Sequence, residues 1–396
     1  MTARRADSPR SDRSDGEKPA DAGFTAEADA RFMAEADARF MAEALVLARR
    51  GLGRTRPNPP VGAVLVRGGK VVGSGWHRRA GGPHAEVFAL AQAGARARGA
   101  TLYVTLEPCS HFGRTPPCAR AVVAAGLGRV VVGTRDPNPR VRGRGLALLR
   151  RAGIAVSTGV REAEARDLIR GYAQHVTTGL PFVRLKLAAS ADGRIAAAGG
   201  ASRWITGAPA RRLVHEWRDE FDAVMVGVGT VLADDPELTC RRRGGRDPVR
   251  IVVDGALRTP PDARLLATGR SPVWIATTRR ADPRRERALV ARGAEVLRLP
   301  GRGGRVDLDA LFRLLGKRDI VSVLVEGGSR LAGALLGSGR VDELCWFSAP
   351  LLIGGDGVPM VGSLGVRSPE GAIRLVDLRD RAVGRDRLWS ARIGRS

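Results

Sequence analysis

Residues 84–118 read HAEVFALAQAGARARGATLYVTLEPCSHFGRTPPC. Their hydrophobic pattern predicts a helix over 84–97, a buried strand over 101–106 and a second helix over 117–126. Another strand is predicted at 129–134. Strands that alternate with helices indicate an α/β sheet, so this stretch decides the fold class of the first half of the chain.

Three side chains in this stretch are typical zinc ligands. His84 and Cys118 each open a predicted helix, and Cys109 follows a strand end. One imidazole and two thiolates give zinc three protein ligands and leave a fourth position open for water, and helix N-termini favour thiolates. Glu86, two residues from His84, is the predicted catalytic acid/base. This arrangement is typical of zinc-dependent nucleobase deaminases, in which ammonia leaves an amino-bearing ring carbon.

Other interpretations of these residues stay open. A structural zinc would take a fourth ligand from His77 or His111, but it would leave Glu86 without a role. Asn58 either turns the chain before a proline or holds the pyrimidine edge with its amide. His77 is a surface residue, a partner of the ligands or a substrate contact. The insertion between the two cysteines, SHFGRTPP, carries Arg114 and Thr115 as candidate contacts to the substrate.

Length and composition set limits on the function. A chain of 396 residues is long enough for two or three domains. It has no apolar run of membrane-spanning length and no secretory signal, and its four cysteines do not suggest a disulfide framework, so a cytoplasmic protein is expected. The net charge of +25 comes from arginines scattered through every segment, with only four lysines. That skew indicates genome composition, and a nucleic-acid role is not favoured.

The chain divides into a polar leader and two α/β regions. Residues 1–25 are predicted to be disordered. The octad AEADARFM then occurs twice, at 26–33 and 34–41, ahead of a helix predicted at 36–50. We expect a deaminase domain over 36–178 and a second α/β domain over 181–396.

Several motifs resemble the RibD family of bifunctional riboflavin biosynthesis proteins. NPPVGAVLV (58–66), GWHRRAGGPHAEVFAL (75–90) and TLEPCSHFGRTPPCARAV (105–122) resemble its deaminase domain. The motifs that resemble its reductase domain are LKLAASADGRIA (185–196), SRWIT (202–206), VGVGTVLADDPELTCR (226–241) and VEGGSRLAGALL (325–336). The resemblance implies a cytidine-deaminase-like zinc domain followed by a dihydrofolate-reductase-like domain that uses NADPH.

The resemblance also implies residue roles in the second domain. NADPH contacts are expected at Ala188, Trp204, Thr230, Asp234 and the segment that begins at Gly328. Substrate contacts are expected at Ser202, Arg218, Leu238, Arg241 and Glu326.

From the residues alone, Lys186 is notable because it lies mid-strand in an apolar run, where a lysine needs a partner or a function. Arg218 and Arg241 have the geometry to grip a phosphate with two parallel hydrogen bonds.

The expected partner is a small pyrimidine ribosyl phosphate, bound by a homo-oligomer without nucleic acid or membrane. One rival is a nucleic-acid deaminase with an accessory domain, which predicts salt-sensitive RNA or DNA binding. Another is a non-catalytic zinc-stabilised scaffold, in which Glu86→Gln changes nothing. A third is an enzyme with only one active domain.

Overall fold

Two separate β-sheets organise the chain. The computed structural model describes residues 22–112 and 116–394. Residues 1–21 of the expected leader, together with Arg114 and Thr115, lie outside the described residues. Residues 22–25, which were expected to be disordered, are instead helical, because the duplicated octad extends the first helix toward the N-terminus.

The first sheet has five strands in the order β2-β1-β3-β4-β5. Strands β1 and β2 form an antiparallel hairpin, β1 is also antiparallel to β3, and β3, β4 and β5 are parallel. The strands are β1 (Gly62–Arg67), β2 (Lys70–Trp76), β3 (Thr101–Leu106), β4 (Arg129–Thr134) and β5 (Ala155–Thr158). The helices are α1 (Ala22–Arg49), α2 (Ala85–Ala93), α3 (Cys118–Ala124), α4 (Arg144–Arg151), α5 (Glu162–Leu168) and α6 (Arg170–Thr178).

Small residues bring helix α2 close to the sheet. A Cβ on Gly73 would lie 2.2 Å from the carbonyl oxygen of Ala89, and one on Gly75 would lie 2.6 Å from that of Ala85. Only glycine fits at such a close approach of two backbones. These two glycines therefore set the depth of the helix whose first turn carries Glu86.

The second sheet has nine strands in the order β11-β10-β9-β8-β14-β6-β15-β18-β17. It is parallel from β11 to β15, and β18 and β17 complete it as antiparallel strands. Its strands are β6 (Phe182–Ser190), β8 (Ala223–Gly227), β9 (Val249–Val253), β10 (Val273–Thr278), β11 (Ala294–Leu299), β14 (Ser322–Glu326), β15 (Glu343–Ala349), β17 (Leu375–Val383) and β18 (Asp386–Ile393). Short pairs are formed by β7 (Arg194–Ala196) with β16 (Val358–Pro359) and by β12 (Gly301–Arg302) with β13 (Arg305–Val306).

Helices cover both faces of the nine-stranded sheet. They are α7 (Ala208–Glu220), α8 (Val228–Asp234), α9 (Arg264–Ala267), α10 (Pro283–Val290), α11 (Leu308–Lys317) and α12 (Ser329–Gly337). On strand β6, Val183, Leu185 and Leu187 share a buried core with residues of α11 and α12, whereas Phe182 packs on the opposite face with residues of α7. This two-residue alternation turns Lys186 toward the α7 face.

The two sheets meet at a short connection. Helix α6 ends at Thr178 and β6 begins at Phe182, so the expected boundary near 178–181 coincides with the connection. Arg170 of α6 is 3.4 Å from Glu343 at the start of β15, and Arg54 is 3.0 Å from Asp219 near the end of α7. The contact thus involves helix and strand ends at the amino edge of the second sheet.

No helix in the part of the chain that the structure describes is both long enough and apolar enough to cross a membrane.

Candidate functional site

The three predicted zinc ligands converge. His84 is the N-cap of α2, Cys118 is the first residue of α3, and Cys109 lies in the loop after β3. The His84 Nδ1 atom is 3.2 Å from Cys118 Sγ and 3.6 Å from Cys109 Sγ. Tetrahedral zinc places nitrogen and sulfur ligands about 3.6 Å apart, so the donor set fits this ion.

Electrostatics in the cluster favour a bound cation. The hydrogen bond from the Cys118 thiol lowers the pKa of Cys109 to about 4, and His84 acts in the same direction. Conversely, hydrogen bonding to Cys109 and burial raise the pKa of Cys118. A divalent metal ion favours the thiolate form of both cysteines, because thiol ligands bind a metal in the deprotonated form.

Glu86 lies beside this cluster in a buried position. Burial raises the pKa of its carboxyl group, against the opposing attraction of His84. Its Oε2 atom has no hydrogen-bond partner among the residues that the structure describes. A carboxyl group with a raised pKa and a free oxygen next to a metal site suits proton transfer.

His77 connects Asn58 to the metal cluster. It is 1% exposed, so it is not a surface residue. Its Nδ1 atom lies 3.0 Å from the Pro83 carbonyl oxygen, which can only accept, so Nδ1 carries the proton. The neutral ring then accepts at Nε2 from the Asn58 amide nitrogen, 3.2 Å away. Burial lowers the pKa of His77 and favours this neutral form.

This arrangement bears on two alternatives that the sequence left open: whether His77 or His111 is a fourth zinc ligand, and whether the Asn58 amide can contact the pyrimidine. His77 uses both ring nitrogens away from the metal, and its ring packs edge-on against that of His84, with centroids 5.0 Å apart. The metal-binding group found among the described residues contains His84, Cys109 and Cys118 but neither His77 nor the exposed His111. The four-ligand structural zinc is therefore not supported, and the Asn58 amide is held with its oxygen available.

Glu107 is a buried acid that sequence reasoning missed. Its Oε2 atom accepts from the backbone N–H groups of Asp136 and Gly143, and its Oε1 atom accepts from those of Gly145 and Leu146. The carboxylate therefore joins the start of α4 and the segment before it to the loop that carries Cys109. The available signal was an acidic residue directly after an apolar strand.

In the second domain, Lys186, Arg218 and Glu326 form one charged cluster. Arg218 donates to Glu326 from Nε at 2.5 Å and from Nη2 at 2.9 Å, and Lys186 Nζ is 3.8 Å from Glu326. Burial raises the pKa of Glu326, but the charges of Arg218 and Lys186 outweigh it and hold that pKa at about 2. Burial lowers the pKa of Lys186, which suits a group that exchanges a proton.

The geometry changes one expectation for Arg218. The edge of its guanidinium group that would grip a phosphate is occupied by Glu326, and Nη1 donates to the Thr239 carbonyl oxygen at 2.9 Å. Only the remaining Nη1 and Nη2 hydrogens of Arg218 are thus left to bind a phosphate.

The start of α12 is a candidate phosphate cradle. Gly327 and Gly328 follow β14 with φ angles of 75° and 88°, and a Cβ on Gly328 would lie 3.3 Å from Thr230 Oγ1. The first N–H groups of a helix are free to bind an anion. The two expected cofactor contacts, Thr230 and Gly328, are therefore neighbours. They lie at a helix N-terminus, which suits the diphosphate of a dinucleotide.

Two further predicted residues meet at the end of α8. Ser202 Oγ donates to Asp234 Oδ1 at 2.7 Å. Trp204 is 64% exposed, and the Arg211 guanidinium carbon lies 4.4 Å from its ring centroid. An exposed aromatic face beside these polar groups is available to a ligand.

The remaining predicted residues are less directly placed. Ala188 is half-buried on β6. Leu238 is buried with a φ angle of 56°, so its side chain belongs to the core and only its backbone is available to a substrate. The Arg241 side chain is 60% exposed and pairs with Glu237, and no hydrogen bond in the described structure joins it to Arg218.

Comparisons with known proteins divide the chain in the same way. Residues 34–134 match the family described as cytidine and deoxycytidylate deaminase zinc-binding region. Residues 181–387 match the family described as RibD C-terminal domain.

Curated relatives and solved structures extend over most of the chain. Riboflavin biosynthesis protein RibD of Escherichia coli is 48% identical over 326 residues, which cover 79% of this chain and 87% of that protein. Its counterpart in Aquifex aeolicus is 44% identical over 344 residues, covering 87% and 94% of the two chains. A structure of RibD from Acinetobacter baumannii has a TM-score of 0.81 at 39% identity, covering 91% of this chain and 100% of that one.

A further structure carries a chemical description. The Thermotoga maritima protein, called a diaminohydroxyphosphoribosylaminopyrimidine deaminase/5-amino-6-(5-phosphoribosylamino)uracil reductase, has a TM-score of 0.78 at 37% identity. The match covers 91% of this chain and 100% of that one.

Proposed function

We propose, from the premise that the chain belongs to the RibD family of riboflavin biosynthesis proteins, that its two sites act in turn on one pyrimidine ribosyl phosphate. The protein is a bifunctional enzyme with a zinc-binding deaminase domain and an NADPH-dependent reductase domain. The first proposed reaction is hydrolytic deamination of 2,5-diamino-6-(5-phosphoribosylamino)pyrimidin-4(3H)-one. The second is reduction of the ribosyl group of 5-amino-6-(5-phosphoribosylamino)uracil to ribityl. The description of the T. maritima relative supports this pair.

In the deaminase domain, His84, Cys109 and Cys118 would hold the zinc. When bound, zinc lowers the pKa of a coordinated water toward about 7 and so supplies a nucleophile near neutral pH. Glu86 would transfer two protons in turn through its free Oε2 atom. The first passes from the attacking water to the ring nitrogen, and the second passes from the hydroxyl group that this water becomes to the amine, which leaves as ammonia. Asn58, with its amide nitrogen held by His77, offers its oxygen to an N–H group on the pyrimidine edge.

In the reductase domain, the start of α12 and Thr230 would hold the NADPH diphosphate, with Ala188, Trp204 and Asp234 as further cofactor contacts. NADPH supplies the hydride. Lys186, whose pKa burial lowers, is the proposed proton donor to the sugar oxygen. Arg218 keeps Glu326 charged and oriented beside it.

Substrate binding in the reductase domain is assigned to Ser202, the backbone of Leu238, Arg241 and Glu326, together with the free N–H groups of Arg218. Because Glu326 occupies one edge of the Arg218 guanidinium group, the exposed side chain of Arg241 is the proposed main partner for the phosphate.

The kind of substrate follows from the family, whereas the oligomeric state and the compartment are proposed. Small-molecule substrates fit this family of enzymes. We propose that the enzyme is a homo-oligomer of a reducing cytoplasm that binds no nucleic acid. None of Cys109, Cys118, Cys240 and Cys345 forms a disulfide bond, which supports the reducing compartment.

The observation that carries the deaminase assignment is the buried Glu86 carboxyl group beside the His84–Cys109–Cys118 cluster, whose Oε2 atom has no hydrogen-bond partner among the described residues. Glu86→Gln preserves volume but removes the titrating group, so we expect full zinc content and at least a 100-fold loss of ammonia release. NADPH oxidation with the aminouracil substrate serves as the internal control and should stay at the wild-type rate. Near wild-type ammonia release by this variant would exclude the role given to Glu86.

The pathway assignment is tested by a coupled assay on the wild-type chain. The diaminopyrimidine substrate is supplied, and ammonia release and NADPH oxidation are followed separately. Both signals are expected, with ammonia first. Ammonia without NADPH oxidation would contradict the reductase assignment, and neither signal from a folded, zinc-loaded sample would contradict both.

A further inference from the structure

We propose that Asp219, which lies outside both sites, is a positioning residue for both reactions. It fastens the loop that carries Asn58 and the loop that carries Arg241 to a single turn of helix α7. This proposal rests on the site roles proposed above, and it adds a physical link between them.

On the deaminase side, Asp219 holds the loop between α1 and β1. Arg54 Nη2 donates to both carboxylate oxygens of Asp219, at 3.0 and 3.3 Å, while Arg54 Nη1 donates to the Leu52 carbonyl oxygen at 2.9 Å. The neighbouring Gly53 packs so closely that a Cβ there would lie 2.2 Å from the Asp219 carbonyl oxygen. The loop thus has both a charged and a steric contact with α7.

The same loop forms one hydrogen-bonded unit that ends at Asn58. The Asn58 N–H donates to the Thr55 carbonyl oxygen at 2.8 Å, and Thr55 Oγ1 donates to the Asn58 carbonyl oxygen at 3.0 Å. The Arg54 N–H donates to the Gly51 carbonyl oxygen at 3.0 Å. A shift of Arg54 therefore moves the backbone of Asn58, and with it the amide that His77 orients.

On the reductase side, Asp219 accepts two more donors. Arg242 Nη1 lies 3.0 Å from Oδ2, and the Arg246 N–H lies 2.8 Å from Oδ1. The preceding residue, Arg218, donates to the Thr239 carbonyl oxygen and to Glu326. Segment 239–246, which includes Arg241, is thus held at both ends by adjacent residues of α7.

Burial makes the Asp219 carboxylate important for this geometry. Its side chain is 2% exposed, and three arginines from two chain segments donate to it. Charge-assisted hydrogen bonds of this kind are stronger and more directional than those of exposed ion pairs, such as Arg161 with Glu164 on the deaminase surface. Removing the side chain of Arg54 or of Arg242 is therefore expected to release the loop that carries it and to leave the other loop in place.

Five variants separate positioning from a general structural role. Arg54→Ala is expected to raise the deaminase KM about three- to tenfold and leave the reductase KM unchanged. Arg242→Ala is expected to do the reverse. Asp219→Asn is expected to raise both, and Arg54→Lys to recover part of the loss because it keeps the charge. Arg161→Ala, which removes the exposed pair, should change neither KM.

Each reaction is assayed with its own substrate on the zinc-loaded full chain, and zinc content and unfolding temperature are measured for every variant. Split KM effects at constant zinc content would support the proposal. A lowered unfolding temperature in Arg54→Ala and Arg242→Ala with both KM values unchanged would overturn it. Failure of the proposed function would give a different result, because the wild-type chain itself would then lack ammonia release or NADPH oxidation.

Discussion

At the residue scale, the neighbouring residues His77 and His84 have different roles. His84 directs Nδ1 toward two thiols, while His77 spends both ring nitrogens on Pro83 and Asn58. The sequence separates them by only seven positions, and although it predicts His84 as a zinc ligand, it leaves the role of His77 open. The difference arises from the loop between them, which turns the Pro83 carbonyl oxygen back onto His77.

His77→Phe keeps an aromatic ring but removes both hydrogen bonds. The Asn58 amide is then free to rotate, and losing one neutral hydrogen bond is worth about 0.5–1.5 kcal/mol. We expect the deaminase KM to rise about two- to tenfold, with kcat less affected, as measured by ammonia release. NADPH oxidation by the same preparation is the control. An unchanged deaminase KM would show that Asn58 does not depend on His77.

The charged cluster of the second domain predicts a pH dependence of stability. Arg218 and Lys186 hold the pKa of Glu326 at about 2, below its usual value of 4.5. A carboxyl group with a lowered folded-state pKa adds stability that is present above about pH 4.5 and is lost as the pH falls toward 2.

Comparison with Glu326→Gln isolates this contribution. At pH 7 the variant leaves two buried cations without their partner and should be less stable than the wild type by about 3 kcal/mol. The difference should shrink by about 1 kcal/mol between pH 6 and pH 3.5, as measured by urea unfolding at each pH. A difference independent of pH would mean that Glu326 is not ionised in the folded protein.

Residue-level prediction from sequence succeeded where chemistry alone restricts the choice. His84, Cys109 and Cys118 were recognised because few residue types bind zinc, and the structure brings them together. Glu107 and the orientation of His77 were not foreseen, because both depend on backbone groups distant in sequence. Leu238 was predicted as a contact without any indication that its side chain is in the core.

At the element scale, helix α1 allows a comparison of two identical segments within one helix. The two copies of the octad AEADARFM place identical residues in different surroundings. Phe40 and Met41 of the second copy are 4% and 0% exposed, whereas Phe32 and Met33 of the first are 71% and 48% exposed. An eight-residue step is not a whole number of helical turns, and the first copy extends beyond the sheet.

Phe40→Ala and Phe32→Ala test this asymmetry with the same chemical change. Phe40 packs against Tyr103, with ring centroids 5.2 Å apart. Its truncation should lower the free energy of unfolding by about 3–5 kcal/mol, and that of Phe32 by less than about 0.5 kcal/mol. Urea unfolding of both variants measures the difference. Equal losses would indicate that the first copy is also buried in solution.

Element prediction was best for strands with an unambiguous buried run. The predicted strands at 101–106 and 129–134 agree residue for residue with β3 and β4. Helix α1 begins earlier than the predicted position 36, because the periodicity of the first octad was not counted as helix. Strand β17 was missed because it is exposed along nearly its whole length and has no buried run to mark it.

At the scale of the whole molecule, the contact between domains and the reductase site lie at different ends of strand β14. The interdomain cavity is about 100 Å³ and is lined by residues at the amino end, including Ser322, and by Asn58. Glu326 and the cradle begin at the carboxyl end, about 13 Å further along the strand. A second cavity, of about 310 Å³, lies between α6 and α11, and neither cavity is lined by residues of both sites.

We therefore expect the deaminated intermediate to be released into solution between the two reactions. Started on the diaminopyrimidine substrate, NADPH oxidation should show a lag while free intermediate accumulates. An excess of Glu86→Gln enzyme, which retains only the reductase reaction, should shorten the lag. A lag unaffected by that addition would indicate direct transfer between sites.

The close packing of Gly53 against Asp219 has a consequence for protein engineering. Any other residue at position 53 would bring a Cβ to within 2.2 Å of a backbone oxygen of the other domain, and Gly53 also has a φ angle of 68°. The deaminase half is thus shaped to one reductase surface. Chimeras that exchange either half between relatives would need to transfer the loop around Gly53 and the end of α7 as a matched unit.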